Sequence, residues 1–346
     1  MPRKPVPVVV LAGFLGSGKT TLLNHLLRQS RGTRIGAVVN DFGAVEIDAM
    51  TVAGQVDSMV SLGNGCLCCA VDASELDDYL GRLARPELRI DVIVIEASGL
   101  AEPQELIKMI LAAENPDIVY GGLVQVLDAA EFDATRVRHP ETDRHLALAD
   151  LVVLNKADRA DEAGIERTLK TVGELSAGTP VVRTTYGQID PELLIDRRAV
   201  GERVGQLSFD DLRADEEEDT EGADHRGHLH AAYESVGFVS SEPMNPRRFM
   251  EFLDRRPEGL YRIKGFVHFE VPENTGKFTL HAVGRFLRFY PEAWAAGEEH
   301  LTQLVLIGSG IDAAALHKEL DGCREFAPQD ARPESMWGVL RYVDGD

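Results

Sequence analysis

Val6-Pro7-Val8-Val9-Val10-Leu11-Ala12, then Gly13-Phe14-Leu15-Gly16-Ser17-Gly18-Lys19-Thr20-Thr21, then Leu22-Leu23-Asn24-His25-Leu26-Leu27 follow one another without a break. The first segment is a short β-branched run, the last repeats leucine at helical spacing, and the middle one is rich in glycine. The order reads strand, loop, helix. In that setting Gly13-x-x-x-x-Gly18-Lys19-Thr20 has the pattern of a phosphate-binding loop. Gly13, Gly16 and Gly18 let backbone N–H groups turn inward around phosphate oxygens, with Ser17 and Thr21 in the same cradle. Lys19 reaches the β and γ oxygens, and the Thr20 hydroxyl is placed to ligate Mg²⁺. The helix that starts here adds the positive end of its dipole.

Working outward, near-continuous apolar runs at 34–40, 92–96, 123–127, 151–155 and 180–184 fit strands buried on both faces. Helix-like stretches at 74–83, 102–113 and 161–175 separate most of them. The expected fold is α/β, a doubly wound, mainly parallel sheet of the phosphate-loop NTPase kind. Its expected extent is 1–198. Residues 210–224 then carry nine acids and one base, Arg213, which accounts for −8 of the net −21. Such a stretch cannot bury a core, so 199–230 reads as an acidic linker. Beyond it, strand-like stretches at 231–240, 260–271, 277–290 and 301–307, a helix at 245–255 and a closing helix at 312–320 predict a small α+β domain over 231–346.

Composition limits the functions available. A chain of 346 residues that is 44% hydrophobic has material for two cores. Thirty-six cations against fifty-seven acids disfavour a nucleic-acid partner, which needs clustered positive charge. No apolar run approaches the roughly 20 residues that span a bilayer. Arg3 and Lys4 before the first apolar run could pass for a secretory leader, but the phosphate-loop pattern claims the same residues. A cytoplasmic protein is expected, because the four cysteines form no spaced disulfide framework.

Further motifs refine the ligand. Asn155-Lys156-Ala157-Asp158 ends an apolar run, where open α/β sheets bind ligands. A carboxylate there accepts from both N1–H and the exocyclic amine of guanine, so Asp158 selects GTP over ATP. Glu96-Ala97-Ser98-Gly99 ends another run; Glu96 can reach Mg²⁺ through a water, and the Gly99 N–H can meet the γ-phosphate. Asn40-Asp41-Phe42-Gly43 and Asp48 occupy the place of a first switch, where Asp41 or Asp48 could orient the attacking water or serve only as a turn residue. In Gly63-Asn64-Gly65-Cys66-Leu67-Cys68-Cys69, three thiols can converge on one soft cation such as Zn²⁺. A redox disulfide or buried apolar cysteines are the alternatives.

Taken in order, these motifs resemble those of the CobW-like metallochaperone GTPases, relatives of the nickel-insertion GTPases that serve hydrogenase and urease. The resemblance covers essentially the whole chain. It rests on 13–21, on Asn40-Asp41-Phe42-Gly43, on Gly65-Cys66-Leu67-Cys68-Cys69, on Glu96-Ala97-Ser98-Gly99 with Pro103 beyond, and on Asn155-Lys156-Ala157-Asp158. Arg262-Ile263-Lys264-Gly265 and 304–308 look like the family's C-terminal segments. It implies GTP and Mg²⁺ as cofactors, a bound Zn²⁺ or Co²⁺, and delivery of that metal to a client metalloprotein. Asp41 is one methylene shorter than the family's usual glutamate, and Val39 and Ala44 stand where some relatives carry further acids. His225, His228 and His230 are all this chain offers in place of the histidine-rich tract of many relatives. Two rival readings remain at this stage. One is a zinc store or sensor with vestigial nucleotide use, against which the intact Lys19, Thr20 and Asp158 weigh. The other is a GTPase of RNA modification or translation, against which the charge weighs.

Overall fold

β1 (Val6–Ala12), β4 (Val92–Glu96) and β6 (Leu151–Asn155) are buried at nearly every position. Strands apolar on both faces need cover on both faces, and the helical crossovers of a parallel sheet supply it. The computed structural model describes residues 4–30, 33–40, 58–62, 73–176, 178–195, 233–272, 274–328 and 331–343. They divide into two compact units, the second formed by Gly178–Pro180 and Ala231–Asp346. Asp41, Asp48, Cys66, Cys68, Cys69, the acidic stretch and His225, His228 and His230 lie outside the described residues.

The first unit is built on a seven-stranded sheet in the order β3-β2-β4-β1-β5-β6-β7. It adds β2 (Ile35–Asn40), β3 (Ser58–Leu62), β5 (Ile118–Asp128) and β7 (Val181–Arg183), and every pairing is parallel. Its helices are α1 (Lys19–Arg28), α2 (Ala73–Leu83), α3 (Pro103–Leu111), α4 (Phe132–Arg138), α5 (Thr142–Leu148) and α6 (Glu162–Ser176). In α1, Leu22, Leu23, Leu26 and Leu27 are the buried face, as their spacing predicts. The chain leaves β1 in one direction toward β2 and β4 and in the other toward β5. β1 therefore stands at the switch point of the sheet, and its carboxyl end opens on the crevice where such sheets bind ligands.

Three features of this unit differ from the sequence reading. β3 was not anticipated, because Ser58 and Ser61 break its apolar pattern. β5 begins at Ile118 instead of 123. Gly121 and Gly122 interrupt the apolar run, yet the strand continues past a register shift at Val8/Val9 of β1. A Cβ on Gly121 would lie 3.0 Å from the Val8 carbonyl, so glycine permits the close pairing. α4 and α5 occupy a stretch to which the sequence reading assigned no element. The Arg136 guanidinium, hydrogen-bonded to Asp143 at 2.6 and 2.9 Å, joins them and holds that carboxyl below the usual carboxylate range.

The second unit carries a five-stranded antiparallel sheet in the order β11-β10-β9-β12-β8. Its strands are β8 (Glu234–Ser240), β9 (Leu260–Phe269), β10 (Gly276–Val283), β11 (Phe286–Glu292) and β12 (Thr302–Gly308). α7 (Pro246–Asp254) and α8 (Ala313–Gly322) accompany them, and Phe249, Leu253, Leu316 and Leu320 share one core with Ile263, Leu280 and Leu304 from the sheet. The apolar stretch at 277–290 is two strands, not one, joined at Gly284 with φ +53°. Nor does the helix after 312 close the unit: a 3₁₀ turn at Pro333–Met336 and α9 (Trp337–Leu340) follow and bury Met336 and Val339. Cys323 is buried here, its Sγ donating to the Glu319 carbonyl at 3.3 Å, and burial pushes the thiol up to about 11. Among the described residues no helix is long and apolar enough to cross a membrane.

Candidate functional site

The loop between β1 and α1 turns on glycines held at positive φ: Gly13 at +144°, Gly16 at +75° and Gly18 at +104°. Two of them have no room for a side chain. A Cβ at Gly13 would collide with the Val126 carbonyl oxygen, and one at Gly18 with the Asn155 amide. Lys19 is buried and folds back across the loop, donating to Gly13 O at 2.9 Å and Phe14 O at 3.3 Å. These carbonyls hold the ammonium against the loop. Gly16 is exposed, Ser17 is buried, and Thr21 is exposed on the first turn of α1.

On one flank lies the end of β4. Glu96 is buried between Leu11 of β1 and Val39 of β2 in the sheet register, and the Thr20 hydroxyl donates to its Oε1 at 2.6 Å. A half-buried hydroxyl beside a buried carboxylate is a hard-oxygen pair of the kind Mg²⁺ takes, so the residues present fit that ion. The segment after Glu96 is held close: Ala97 N donates to Leu11 O at 2.9 Å, and a Cβ on Gly99 would come within 2.7 Å of Leu15. Glu102, just before α3, meets His145 Nε2 of α5 at 3.1 Å. A cavity of about 240 Å³ lies between 13–17, 99–103 and the α4–α5 corner, with His139 against the Phe14 ring at 4.4 Å.

On the other flank lies the end of β6. Asn155, 1% exposed, donates from Nδ2 to Ser17 O at 2.9 Å and accepts at Oδ1 from Gly187 N at 2.9 Å. Lys156, at φ +56°, donates from Nζ to Gly16 O at 2.6 Å and to Asp128 Oδ2 at 2.8 Å. Asp158 sits exposed in the 3₁₀ turn Ala157–Arg159. The structure thus brings the expected nucleotide residues Gly13, Gly16, Ser17, Gly18, Lys19, Thr20, Glu96, Asn155, Lys156 and Asp158 to one edge of one sheet.

The cysteines lie outside the described residues, and the described backbone fixes where their segment starts. β3 runs parallel to β2 with Leu62 opposite Asn40, so the chain enters 63–72 at the edge where 41–57 departs, two strands over from Glu96. Among the described residues no three His, Cys, Asp or Glu side chains gather as metal ligands. Sequence reasoning missed Asp128, the carboxylate that fixes Lys156, and the loop 184–187. The one signal for that loop was a threonine pair and a glycine straight after a strand.

A glycine loop, a lysine folded over it, a hydroxyl–carboxylate pair on one side and an Asn-Lys-x-Asp turn on the other define a phosphate-loop nucleotide-binding protein of the doubly wound class. Residues 7–183 match the model of the CobW/HypB/UreG nucleotide-binding domain, and 233–324 match the C-terminal domain of the cobalamin synthesis protein CobW. The chain belongs to the CobW/HypB/UreG family. Among its relatives, a zinc chaperone CobW of Sinorhizobium is 32% identical over 90% of this chain and 95% of its own length. A zinc chaperone CobW of Pseudomonas aeruginosa is 31% identical over 91% of this chain and 90% of its own. A zinc-regulated GTPase metalloprotein activator 1 of Schizosaccharomyces pombe is 33% identical over 54% of this chain and 47% of its own.

Proposed function

We propose that this chain is a GTP-hydrolysing metallochaperone, binding a transition metal through Cys66, Cys68 and Cys69 and transferring it to a client metalloprotein. The observation that carries the reading is the Thr20–Glu96 contact at 2.6 Å, which links the phosphate loop to the end of β4, on the side of the sheet where β2 and then β3 lead toward the cysteine segment. The names of the relatives, zinc chaperone and zinc-regulated GTPase, support zinc as cargo. Tetrahedral thiolate sites accept Co²⁺ as well.

In this reading the chain's own groups do the following. Gly13 to Gly18 present N–H groups to the phosphates, and Lys19 exchanges its two carbonyl partners for β and γ oxygens. Thr20 and Glu96 would hold Mg²⁺, which supplies charge neutralisation at the transferring phosphoryl group when bound. Asp41 or Asp48 orients the attacking water, and Gly99 N–H senses the γ-phosphate. Asp158 accepts from the guanine edge. The parts fall into a nucleotide-hydrolysing portion over 1–198, an acidic linker over 199–230 and a C-terminal portion over 231–346.

The test is GTP turnover by the purified chain with and without stoichiometric Zn²⁺ or Co²⁺. Turnover that responds to the metal is expected. Hydrolysis indifferent to both metals would leave a GTPase without metal transfer, and absence of hydrolysis would leave a metal store.

A further inference from the structure

Thr185-Tyr186-Gly187-Gln188 closes a turn in which Gln188 N donates to Thr185 O at 3.1 Å, with φ +54° at Tyr186 and +65° at Gly187. Positive φ at both central residues is the signature of a type I′ turn, whose first central position belongs to Asn, Asp or Gly. A bulky aromatic there is strained, and strain of this kind persists at working sites. The turn itself has little freedom. Thr184 N donates to Leu154 O at 2.9 Å, Ala157 N donates to Thr184 O at 3.1 Å, and Gly187 N donates to Asn155 Oδ1 at 2.9 Å. Behind it, a Cβ on Gly187 would come within 2.8 Å of the Leu22 backbone of α1. The loop is therefore stitched to the Asn155–Asp158 segment on one side and pressed against the first turns of the phosphate-binding helix on the other. Tyr186, 71% exposed, is the one aromatic side chain of the turn and stands uncovered.

We infer that Tyr186 is a base platform, its ring stacking on the face of the purine whose edge Asp158 reads; this rests on the guanine reading of Asp158 given above. A ring on a loop anchored at three points is pre-ordered, so little freedom is lost when a base settles on it. Every purine has a π-face, so such a platform adds affinity without choosing between bases. Edge reading by Asp158 and face contact by Tyr186 then divide the work into selection and strength. Strain and function also separate in sign: asparagine at 186 suits the turn better than tyrosine and removes the ring.

The experiment is equilibrium titration of GDP and inosine diphosphate into the full chain, wild type against Tyr186→Phe, Tyr186→Asn and Tyr186→Gly, with melting temperatures of the nucleotide-free proteins. Tyr186→Asn and Tyr186→Gly are expected to weaken both diphosphates about tenfold and by the same factor, as loss of one stacked base does. Tyr186→Phe should bind as wild type, and Tyr186→Asn should melt no lower than wild type. Wild-type affinity in both ringless variants overturns the platform, and so does a loss confined to one base. A separate arm compares GDP with xanthosine diphosphate in Asp158→Asn. If that variant leaves the preference unchanged, edge reading by Asp158 fails, while the Tyr186 variants still decide the stack on their own.

Discussion

On the base side of the phosphate loop, Asn155 and Lys156 reach backbone carbonyls, Ser17 O and Gly16 O, and Lys156 is fixed in turn by Asp128. On the cation side, the link is a contact between two side chains, the Thr20 hydroxyl and the Glu96 carboxylate. Backbone anchors hold the loop whether or not a nucleotide is present. A hydroxyl and a carboxylate are themselves ligands for a divalent cation, so their mutual bond is exchanged when the ion arrives. In the proposed reading one flank is a frame and the other changes partners with the nucleotide state, and the cysteine segment, which follows β3, starts on the side of the sheet where a γ-phosphate signal would be converted into metal release.

The contrast can be broken at several points. Lys19 belongs to both flanks, and Lys19→Ala should cut GTP hydrolysis by about 10²–10³ or more, because its charge acts on the transferring phosphoryl group; single-turnover assays read this directly. Next come the thiols. Cys66→Ser, Cys68→Ser and Cys69→Ser should each abolish tight zinc binding, and in wild type the zinc affinity should differ between GTP and GDP by about 5- to 150-fold, the usual span of coupling between two sites. Competition titration with a zinc chelator measures both, and equal affinity in the two nucleotide states would uncouple the flanks.

On the frame side, Asn155→Ala leaves Ser17 O and Gly187 N without partners in a buried place and should lower stability by about 2–4 kcal/mol. Urea unfolding of the nucleotide-free protein is the measurement, and a loss below about 0.5 kcal/mol would mean the base flank is not a frame. On the side that changes, Glu96→Gln keeps an acceptor for Thr20 but removes the charge. The Mg²⁺ concentration for half-maximal nucleotide binding should rise about tenfold while the melting point holds.

The smallest effect lies away from both flanks. Burial raises the Cys323 thiol from 9.0 to about 11, so the folded state favours the protonated form. Its contribution to stability is full below pH 9 and is lost as pH rises toward 11. At pH 8 it should resist iodoacetamide in the folded protein and react in urea. Rapid folded-state alkylation would show the C-terminal core to be open.

How much could be read from the chain differs between the two flanks as well. Gly13 to Thr20 and Asn155 to Asp158 were legible because their chemistry is local: glycines where φ is positive, a lysine at the end of a loop, a carboxylate after an apolar run. The parallel sheet was legible because strands buried on both faces carry unbroken apolar runs. Polar interruptions hid β3, and glycines hid nearly the first half of β5, because what keeps those residues in strands is pairing with a distant neighbour. The hairpin at Gly284 was concealed in the same way, its two strands forming one apolar stretch until the turn is seen.

The sequence by itself determined the phosphate loop, the Asn-Lys-x-Asp pattern at the end of an apolar run, and the family to which the chain belongs. Only the tertiary structure decided that Asp128 holds Lys156, that Thr20 meets Glu96 across 76 positions, and that the turn carrying Tyr186 at positive φ is tied to Asn155 and Ala157. Local patterns are set by the spacing of neighbours along the chain, whereas these contacts join carboxyl ends of different strands. No spacing encodes them, and they exist once the order β3-β2-β4-β1-β5-β6-β7 lines those ends along one edge.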